Sequence, residues 1–215
     1  MNKFGIVGEG YTDKVVIENI LRGFFTEQDL ENEINHLPES DKGGWDVICK
    51  YLASKDFRSD VSNHEILILQ IDTDITTKAE DSIKFGVSHR DGQGNELTIE
   101  DLFIKVKDKL IMEINSGKSG FYNLYADKII FAISVHSTEC WLVAAHIPAQ
   151  ITIHNCDKVL LAAKLPNNIQ FSKKQSSRCH EKLSQTFLNP DNIHIVAQKS
   201  LSFNLFLQQL SNINL

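Results

Sequence analysis

Several features that define other protein classes are missing from this 215-residue sequence. It contains no apolar run of about 18 residues, so we expect no membrane span. Its start, MNKFGIVGEG, lacks the apolar core and the small-residue cleavage site of a signal peptide, which favours a cytoplasmic protein. It also lacks the GxxxxGKS/T phosphate-binding loop, so we expect no ATPase activity in this chain.

Cysteine is sparse and irregularly spaced. The four residues are Cys49, Cys140, Cys156 and Cys179, and none of them forms a CxxC pair. A zinc cluster requires closely spaced pairs, and a disulfide framework is not expected in a chain of this length without an export signal. We therefore expect four reduced and mostly buried thiols.

Negative charge is unevenly distributed along the chain. The formal net charge is −6, the excess of acid lies in residues 1–81, and residues 82–215 carry a small excess of base. A net acidic protein is not a bulk phosphate binder. It can still act on nucleic acid where metal ions neutralise an acidic site and a local basic surface guides the strand. A solvated acidic face explains the charge equally well.

Short apolar runs alternate with amphipathic segments. We predict strands at 4–8, 33–37, 65–71, 128–135 and 192–198, and helices at 14–25, 45–52, 99–114, 137–146, within 171–187 and at 201–210. This order predicts βαβ units and an α/β fold with a mostly parallel four-stranded sheet flanked by helices. A small C-terminal α/β extension follows, so we place the main domain at 1–146 and the extension, packed on the same domain, at 147–215.

Acidic residues follow two of the predicted strands. Glu9 comes directly after FGIVG, and Asp72 and Asp74 come directly after EILILQI. Ligand sites in parallel sheets lie beyond the carboxyl ends of the strands, so these residues are neighbours if the two strands are adjacent. Clustered carboxylates repel one another unless a cation is present, and Mg²⁺ prefers carboxylate oxygens. The alternative is a turn in which the DxD side chains bond the backbone.

Other residues are weaker candidates. Glu139 lies just beyond the predicted fourth strand and could complete a second metal position, although a glutamate in a first helical turn also interacts favourably with the helix dipole. Lys199 follows the last predicted strand, where a lysine can neutralise charge that develops on a transferring phosphate. Thr12 or Asp13 is interpreted as a helix N-cap and Trp141 as a core residue.

Further residues are set aside as structural or solvated. His136 and His146 flank the predicted helix at 137–146, where either could approach the acidic site, and both are interpreted as structural. Lys173, Lys174 and Arg178 form a basic cluster beside a serine-rich loop, and residues of this type are usually solvated.

The sequence resembles a known family in several places. EGYTD after FGIVG, followed by ILILQIDTD, resembles the Toprim (topoisomerase–primase) domain over about residues 3–145. Glu9 matches the glutamate of that family, and Asp72 and Asp74 match its DxD pair. Three further segments are similar to small standalone OLD-like Toprim proteins, many of which are linked to phage defence: KGGWDVICKYL (42–52), HSTECWLVA (136–144) and SLSFNLFLQQL (200–210). The chain departs from them at Ala145 and His146, where the family often has an acid.

The resemblance implies a Toprim-like, Rossmann-like fold and a metal-dependent nuclease. In such an enzyme Glu9 would bind Mg²⁺ or Mn²⁺ or act as general base, Asp72 and Asp74 would anchor the metal, and DNA is expected in preference to RNA. The resemblance also implies that the protein is a phage-defence or toxin-type effector and that a regulatory or ATPase partner restrains it. The apolar C-terminal helix would either form a homodimer or cap the sheet, and we favour the cap.

Three alternatives remain at this point. A topoisomerase or primase activity would require further domains, and a receiver-like or phosphatase-like site would require an aspartate nucleophile with Lys and Thr at later strand ends. A non-catalytic adaptor that binds a protein partner is the third alternative, and metal binding would discriminate it from the nuclease.

Overall fold

A four-stranded, all-parallel sheet forms the centre of the computed structural model, which describes residues 2–38, 43–147, 154–172 and 176–213. The strand order is β2–β1–β3–β4. The strands are β1 (Asn2–Val7), β2 (Ile34–Leu37), β3 (His64–Asp72) and β4 (Ile129–Ser134). The predicted α/β class and parallel four-stranded sheet are confirmed, and helices on both faces give a Rossmann-like architecture.

The helices pack as two layers. They are α1 (Tyr11–Phe24), α2 (Trp45–Leu52), α3 (Lys55–Asn63), α4 (Ala79–Phe85), α5 (Ile99–Gly117), α6 (Phe121–Leu124), α7 (Thr138–His146), α8 (Cys156–Ala162), α9 (Ser176–Ser184), α10 (Pro190–Lys199) and α11 (Leu201–Leu210). One layer contains α1, α7 and α8–α11, and the other contains α2, α3, α5 and α6.

The side chains of the central strand β3 alternate between the two helical layers. Successive side chains of a strand point to opposite faces of the sheet. Ile66 and Ile68 pack in the layer of α1 and α7, whereas Leu67 and Leu69 pack in the layer of α2 and α5. By the same alternation Gln70 and Asp72 belong to the α1 and α7 face.

The prediction of a strand at 192–198 was wrong, because this segment lies in helix α10. The side chain of Asn189 caps the helix by accepting a hydrogen bond from the backbone of Asp191, and Pro190 occupies the first turn. Ile193 and Val196 are buried at helical spacing. These capping signals prevail over the β-branched residues, so the described part of the C-terminal extension is helical and not α/β.

The prediction of an N-cap at Thr12 or Asp13 was also wrong. Helix α1 begins at Tyr11, with Gly10 at the cap position and no side-chain cap. Asp13 lies inside the first turn, where its buried carboxylate accepts a hydrogen bond from Thr138 on α7. Its side chain therefore serves a contact between helices and not the start of its own helix.

The expectation of four reduced cysteines was wrong as well. Cys140 on α7 and Cys156 on α8 form a disulfide across a Cα–Cα distance of 5.0 Å. Cys49 and Cys179 are free thiols. Packing of α8 against α7 brings together two cysteines whose sequence separation of 16 residues carries no pairing signal.

The C-terminal helices are part of the same hydrophobic core as the strands. Helices α9 and α10 pack on α1, and α11 packs on β4. Trp141 is fully buried, as predicted, and its ring stacks on Phe206. The described residues after 146 therefore share one core with those before, while the position of the boundary stays a prediction. No helix within the described ranges has the length and apolar character needed to cross a membrane.

Gln209 on α11 covers the edge strand β4. Its side-chain amide accepts a hydrogen bond from the backbone nitrogen of Phe131 (3.1 Å) and donates one to the carbonyl oxygen of the same residue (2.9 Å). These are the groups that an exposed edge would offer to another strand. The contact agrees with the prediction that the last helix caps the sheet.

We expect the Gln209→Ala variant to lower the free energy of unfolding by about 1–3 kcal/mol, because it leaves the backbone groups of Phe131 without these partners. Urea denaturation measures the change. Gln208→Ala is the matched control, since Gln208 is exposed on the same helix. Equal stability of the two variants would contradict a role for Gln209 at the edge.

Candidate active site

Glu9 and Asp72 meet at the carboxyl edge of the sheet. Strands β1 and β3 are parallel neighbours, with Val7 in register with Leu69. Glu9 follows β1, and Asp72 ends β3. The backbone nitrogen of Asp72 donates a hydrogen bond of 2.7 Å to Oε1 of Glu9. Glu9 and Asp72 are therefore neighbours, as expected if their two strands are adjacent.

Gln70 links the two acids through its side chain. Its Oε1 accepts a hydrogen bond from the backbone nitrogen of Glu9 (3.1 Å), and its Nε2 donates one to Oδ1 of Asp72 (2.9 Å). Gln70 is only 1% exposed. A buried amide that satisfies both neighbours fixes the strand ends relative to each other.

A glycine pair packs directly on the backbone of Glu9. A Cβ at Gly43 would lie 1.6 Å from the carbonyl oxygen of Glu9, so a side chain there has no space. Gly44 has φ +92° and donates its backbone N–H to the same carbonyl. Trp45, the next residue, donates its indole N–H to the carbonyl of Asp72. The segment before α2 therefore holds both acidic strand ends.

Asp74 differs from Asp72 in its surroundings. Thr73 between them is fully buried and accepts a hydrogen bond from the backbone of His136. The Asp74 side chain is 51% exposed and lies 3.7 Å from the Lys78 ammonium. The turn after β3 thus directs one aspartate inward and the other toward solvent.

Helix α7 supplies the third side of the site. The backbone nitrogen of Thr138 donates to Oδ1 of Asp72 (3.2 Å), and its hydroxyl donates to Oδ1 of Asp13 (2.5 Å). Oε1 of Glu139 lies 3.1 Å from Nε2 of His180 on α9. Asp13, Asp72 and Glu139 are therefore joined around the start of one helix.

Burial and mutual repulsion shift the pKa values of these acids. Burial, together with the charges of Asp13 and Asp74, raises the pKa of Glu9 to about 8. Burial, with the charge of Glu139, raises the pKa of Asp13 to about 6. Burial and the charges of the other acids raise the pKa of Asp72 well above its usual value. Without a bound metal, Glu9 and Asp72 are therefore harder to ionise than ordinary carboxyl groups.

Glu139 behaves in the opposite way. Its burial acts to raise the pKa, but the hydrogen bond and charge of His180 outweigh it, and the pKa is lowered. Burial, with the nearby charges of His154 and His89, lowers the pKa of His136 to about 4, so this ring is neutral at pH 7.

One cavity of about 570 Å³ contains all four predicted metal ligands, Glu9, Asp72, Asp74 and Glu139. We call it the acidic cavity. Among the described residues, its wall also includes His136, Asp157 on α8 and the ring of Phe171.

The donor set fits a hard divalent cation in its chemistry, because all four ligands are carboxylates. The hydroxyl of Ser134, in register with Asp72, is buried and has no hydrogen-bond partner among the described residues. The side chains do not converge on one point, however. Within the described ranges, no three Asp, Glu, His or Cys side chains are placed to hold one ion. Glu9 and Asp72 each use one carboxylate oxygen in hydrogen bonds within the protein.

Other predicted residues lie elsewhere. The Lys199 ammonium donates to the carbonyl of Ala144 at the end of α7, and Lys199 does not line the acidic cavity. His146 contacts the carbonyl of Leu183, and burial lowers its pKa. Lys173 and Lys174 are outside the described residues.

Sequence reasoning missed three residues of this site: Gln70, Asp13 and His180. A signal existed for Gln70, since it is the one polar residue in the run ILILQI (66–71). A signal also existed for Asp13, which follows Glu9 by four residues at the start of α1. No local pattern marks His180, which reaches Glu139 only through the packing of α9.

The comparisons with known proteins yield no relative: no protein-family model, curated protein or solved structure matches this chain.

We expect the metal-free protein to become less stable as the pH rises from about 4.5 to about 8. The folded protein retains the proton on Glu9 up to about pH 8, whereas the unfolded chain releases it near 4.5, so the folded state binds more protons in this window. Urea denaturation in EDTA at pH 5 and pH 8 measures the slope.

Glu9→Gln should reduce this slope, and the exposed Glu27→Gln should leave it unchanged. An unchanged slope in Glu9→Gln would show that Glu9 titrates normally.

Reduction of the Cys140–Cys156 disulfide should lower the free energy of unfolding by roughly 3 kcal/mol, as expected for a closed loop of this length. Denaturation with and without dithiothreitol measures the loss. A Cys140→Ala/Cys156→Ala variant should not respond to dithiothreitol, whereas Cys49→Ala should respond like the unchanged protein. A Cys140→Ala/Cys156→Ala variant that still responds would assign the effect to other groups.

Proposed function

We propose that this protein is a Mg²⁺- or Mn²⁺-dependent nuclease of the Toprim type that hydrolyses phosphodiesters of nucleic acid. The observation that carries the proposal is the convergence of Glu9, Asp72, Asp74 and Glu139 on one cavity at the carboxyl edge of the sheet. Burial and repulsion raise the pKa of Glu9 and Asp72 there. Such an arrangement is costly without a cation and favourable with one.

The sequence pattern supports the same proposal. The Toprim-like order of a glutamate after the first strand and a DxD pair after the buried strand corresponds to β1 and β3, which are neighbours. The GGW segment that resembles OLD-like proteins holds the backbones of Glu9 and Asp72. The segment that resembles OLD-like proteins therefore contacts both acidic strand ends.

A divalent cation held by Asp72, Asp74 and Glu139 would offset the negative charge of a phosphodiester and of the leaving oxygen. Gln70 and the amide of Thr138 orient Asp72. Glu9, with a pKa of about 8 before any cation binds, is protonated near neutral pH; the charge of a bound cation would release that proton and leave a carboxylate that could accept one from water.

The cellular role rests on the resemblance alone. We propose a cytoplasmic phage-defence or toxin-type effector that acts on DNA in preference to RNA and is controlled by a regulatory or ATPase partner. We also propose that the protein forms a homodimer.

A non-catalytic adaptor is the second candidate, and one observation favours it. The oxygens Oε1 of Glu9 and Oδ1 of Asp72 already accept hydrogen bonds from the protein. In the described residues no three donors converge on one point. An adaptor could retain such an internally bonded cluster without metal.

We expect purified protein to cut supercoiled plasmid, linear DNA or RNA only with Mg²⁺ or Mn²⁺, and Asp72→Asn and Glu9→Gln each to reduce the rate at least 100-fold. Both changes remove a carboxylate from the acidic cavity and keep its shape, and Glu27→Gln is the matched control. Gel assays measure cleavage, with unfolding curves to verify the variants.

Calorimetry separates the two candidates. Metal binding at pH 7 should release protons, because Glu9 is then protonated, and titrations in buffers of different ionisation enthalpy measure the number released. No metal binding and no cleavage would favour the adaptor. Cleavage that survives both substitutions would place the chemistry elsewhere.

A further inference from the structure

A second cavity, of about 300 Å³, lies against the other side of α9. We call it the basic cavity. Its wall includes Arg178 and Lys182 on α9 and the amide side chains of Asn167, Asn168 and Gln170. The volume accommodates roughly ten water molecules. Its wall offers hydrogen-bond donors and two positive charges, which suits an anion.

Arg178 and Lys182 have no ion pair or hydrogen bond with any residue that the structure describes. They are spaced i, i+4 on one helical face, where like charges repel. Arg178 also lies in the first turn of α9, where the helix dipole disfavours a cation. Lys109, by contrast, pairs with Glu113 at the same spacing. Both side chains are exposed, and in a protein of net charge −6 they leave two positive charges on one cavity wall available to an anion.

The basic and acidic cavities are adjacent. Residues 167–170 border the basic cavity, and the next residue, Phe171, borders the acidic one. The thiol of Cys179 donates to the carbonyl of Gln170 and ties this segment to α9. Phe171 packs on the ring of His180, whose Nε2 contacts Glu139.

Helix α9 lines the basic cavity, and its His180 contacts Phe171 and Glu139, which line the acidic cavity. His180 lies two residues from both Arg178 and Lys182, and residues at that spacing point to opposite sides of a helix. A helix is about 10 Å across. Phosphates follow one another at about 3.4 Å along the axis of each strand of a duplex. A separation of about one helix width exceeds the axial rise of one nucleotide, so the two cavities would hold different phosphates of a strand.

We propose that the basic cavity binds a backbone phosphate of the same nucleic-acid strand whose phosphodiester enters the acidic cavity. This inference rests on the proposed function and adds a second contact point to it. The guanidinium of Arg178 can bind a phosphate through two parallel hydrogen bonds, and Lys182 adds a point charge. The subsite positions the strand and reads no base.

The test is strand binding without cleavage. A fluorescein-labelled DNA of about 20 nucleotides, single-stranded or duplex, is titrated in EDTA and followed by fluorescence anisotropy. We expect Arg178→Gln/Lys182→Gln to bind at least tenfold more weakly than the unchanged protein. The slope of log affinity against log salt should become shallower by about one for each phosphate that the variant no longer neutralises.

Lys50→Gln/Lys55→Gln is the matched control, because it removes the same charge from exposed positions on α2 and α3, against the opposite face of the sheet. Unfolding curves verify that both double variants are folded. Equal binding by the two double variants would overturn the subsite and leave the proposed nuclease standing.

Two other outcomes would also overturn it. Failure of the unchanged protein to bind either DNA or an RNA of the same length would remove both the subsite and the nucleic-acid substrate. Equal displacement of the strand by millimolar inorganic phosphate in the unchanged protein and in Arg178→Gln/Lys182→Gln would place the phosphate contact elsewhere. Cleavage assays supply a separate readout, since loss of the subsite should raise KM and leave kcat within a factor of two.

Discussion

The burial of two carboxyl groups, Glu9 and Asp72, at adjoining strand ends is the constraint around which the rest of the site is arranged. Two neighbouring parallel strands end in carboxylates, and burial makes their charged forms costly. Gln70 joins the two strand ends, and Gly43 and Gly44 hold the backbone of Glu9. Each contact stabilises the close approach without neutralising the charge. The protein thus keeps two buried carboxyl groups close together, and the cation proposed above would offset the cost of their ionisation.

Much of the sheet could be predicted from sequence, because its strands are short apolar runs that end in Gly, Asp or Ser. The run before Asp72 is buried on both faces, as continuous hydrophobicity indicates. The C-terminal part could not be assigned in the same way. Residues 192–198 have a β-branched composition, but the cap at Asn189 and the proline that follows it start a helix. The Cys140–Cys156 pair depends on how two helices pack, which no local pattern reports.

Residues of the acidic site could be predicted from sequence where they directly follow a predicted strand. Glu9, Asp72 and Asp74 follow strands, so their place at one edge results from parallel order. Asp13 appeared to be a helix cap, because its true partner, Thr138, lies 125 residues away. Lys199 was chosen on the expectation of a preceding strand. As the last residue of a helix it instead bonds the end of α7.

The contact between Glu139 and His180 joins residues that are 41 positions apart in the chain. Ribosomal synthesis adds residues in order, so β1, β3, β4 and α7 all leave the ribosome before α9 does. A nascent or prematurely terminated chain that ends before α9 has every acid of the site but lacks the helix whose His180 contacts Glu139. The contact that holds Glu139 therefore forms only after α9 has been synthesised, although every acidic residue around it precedes α9 in the chain.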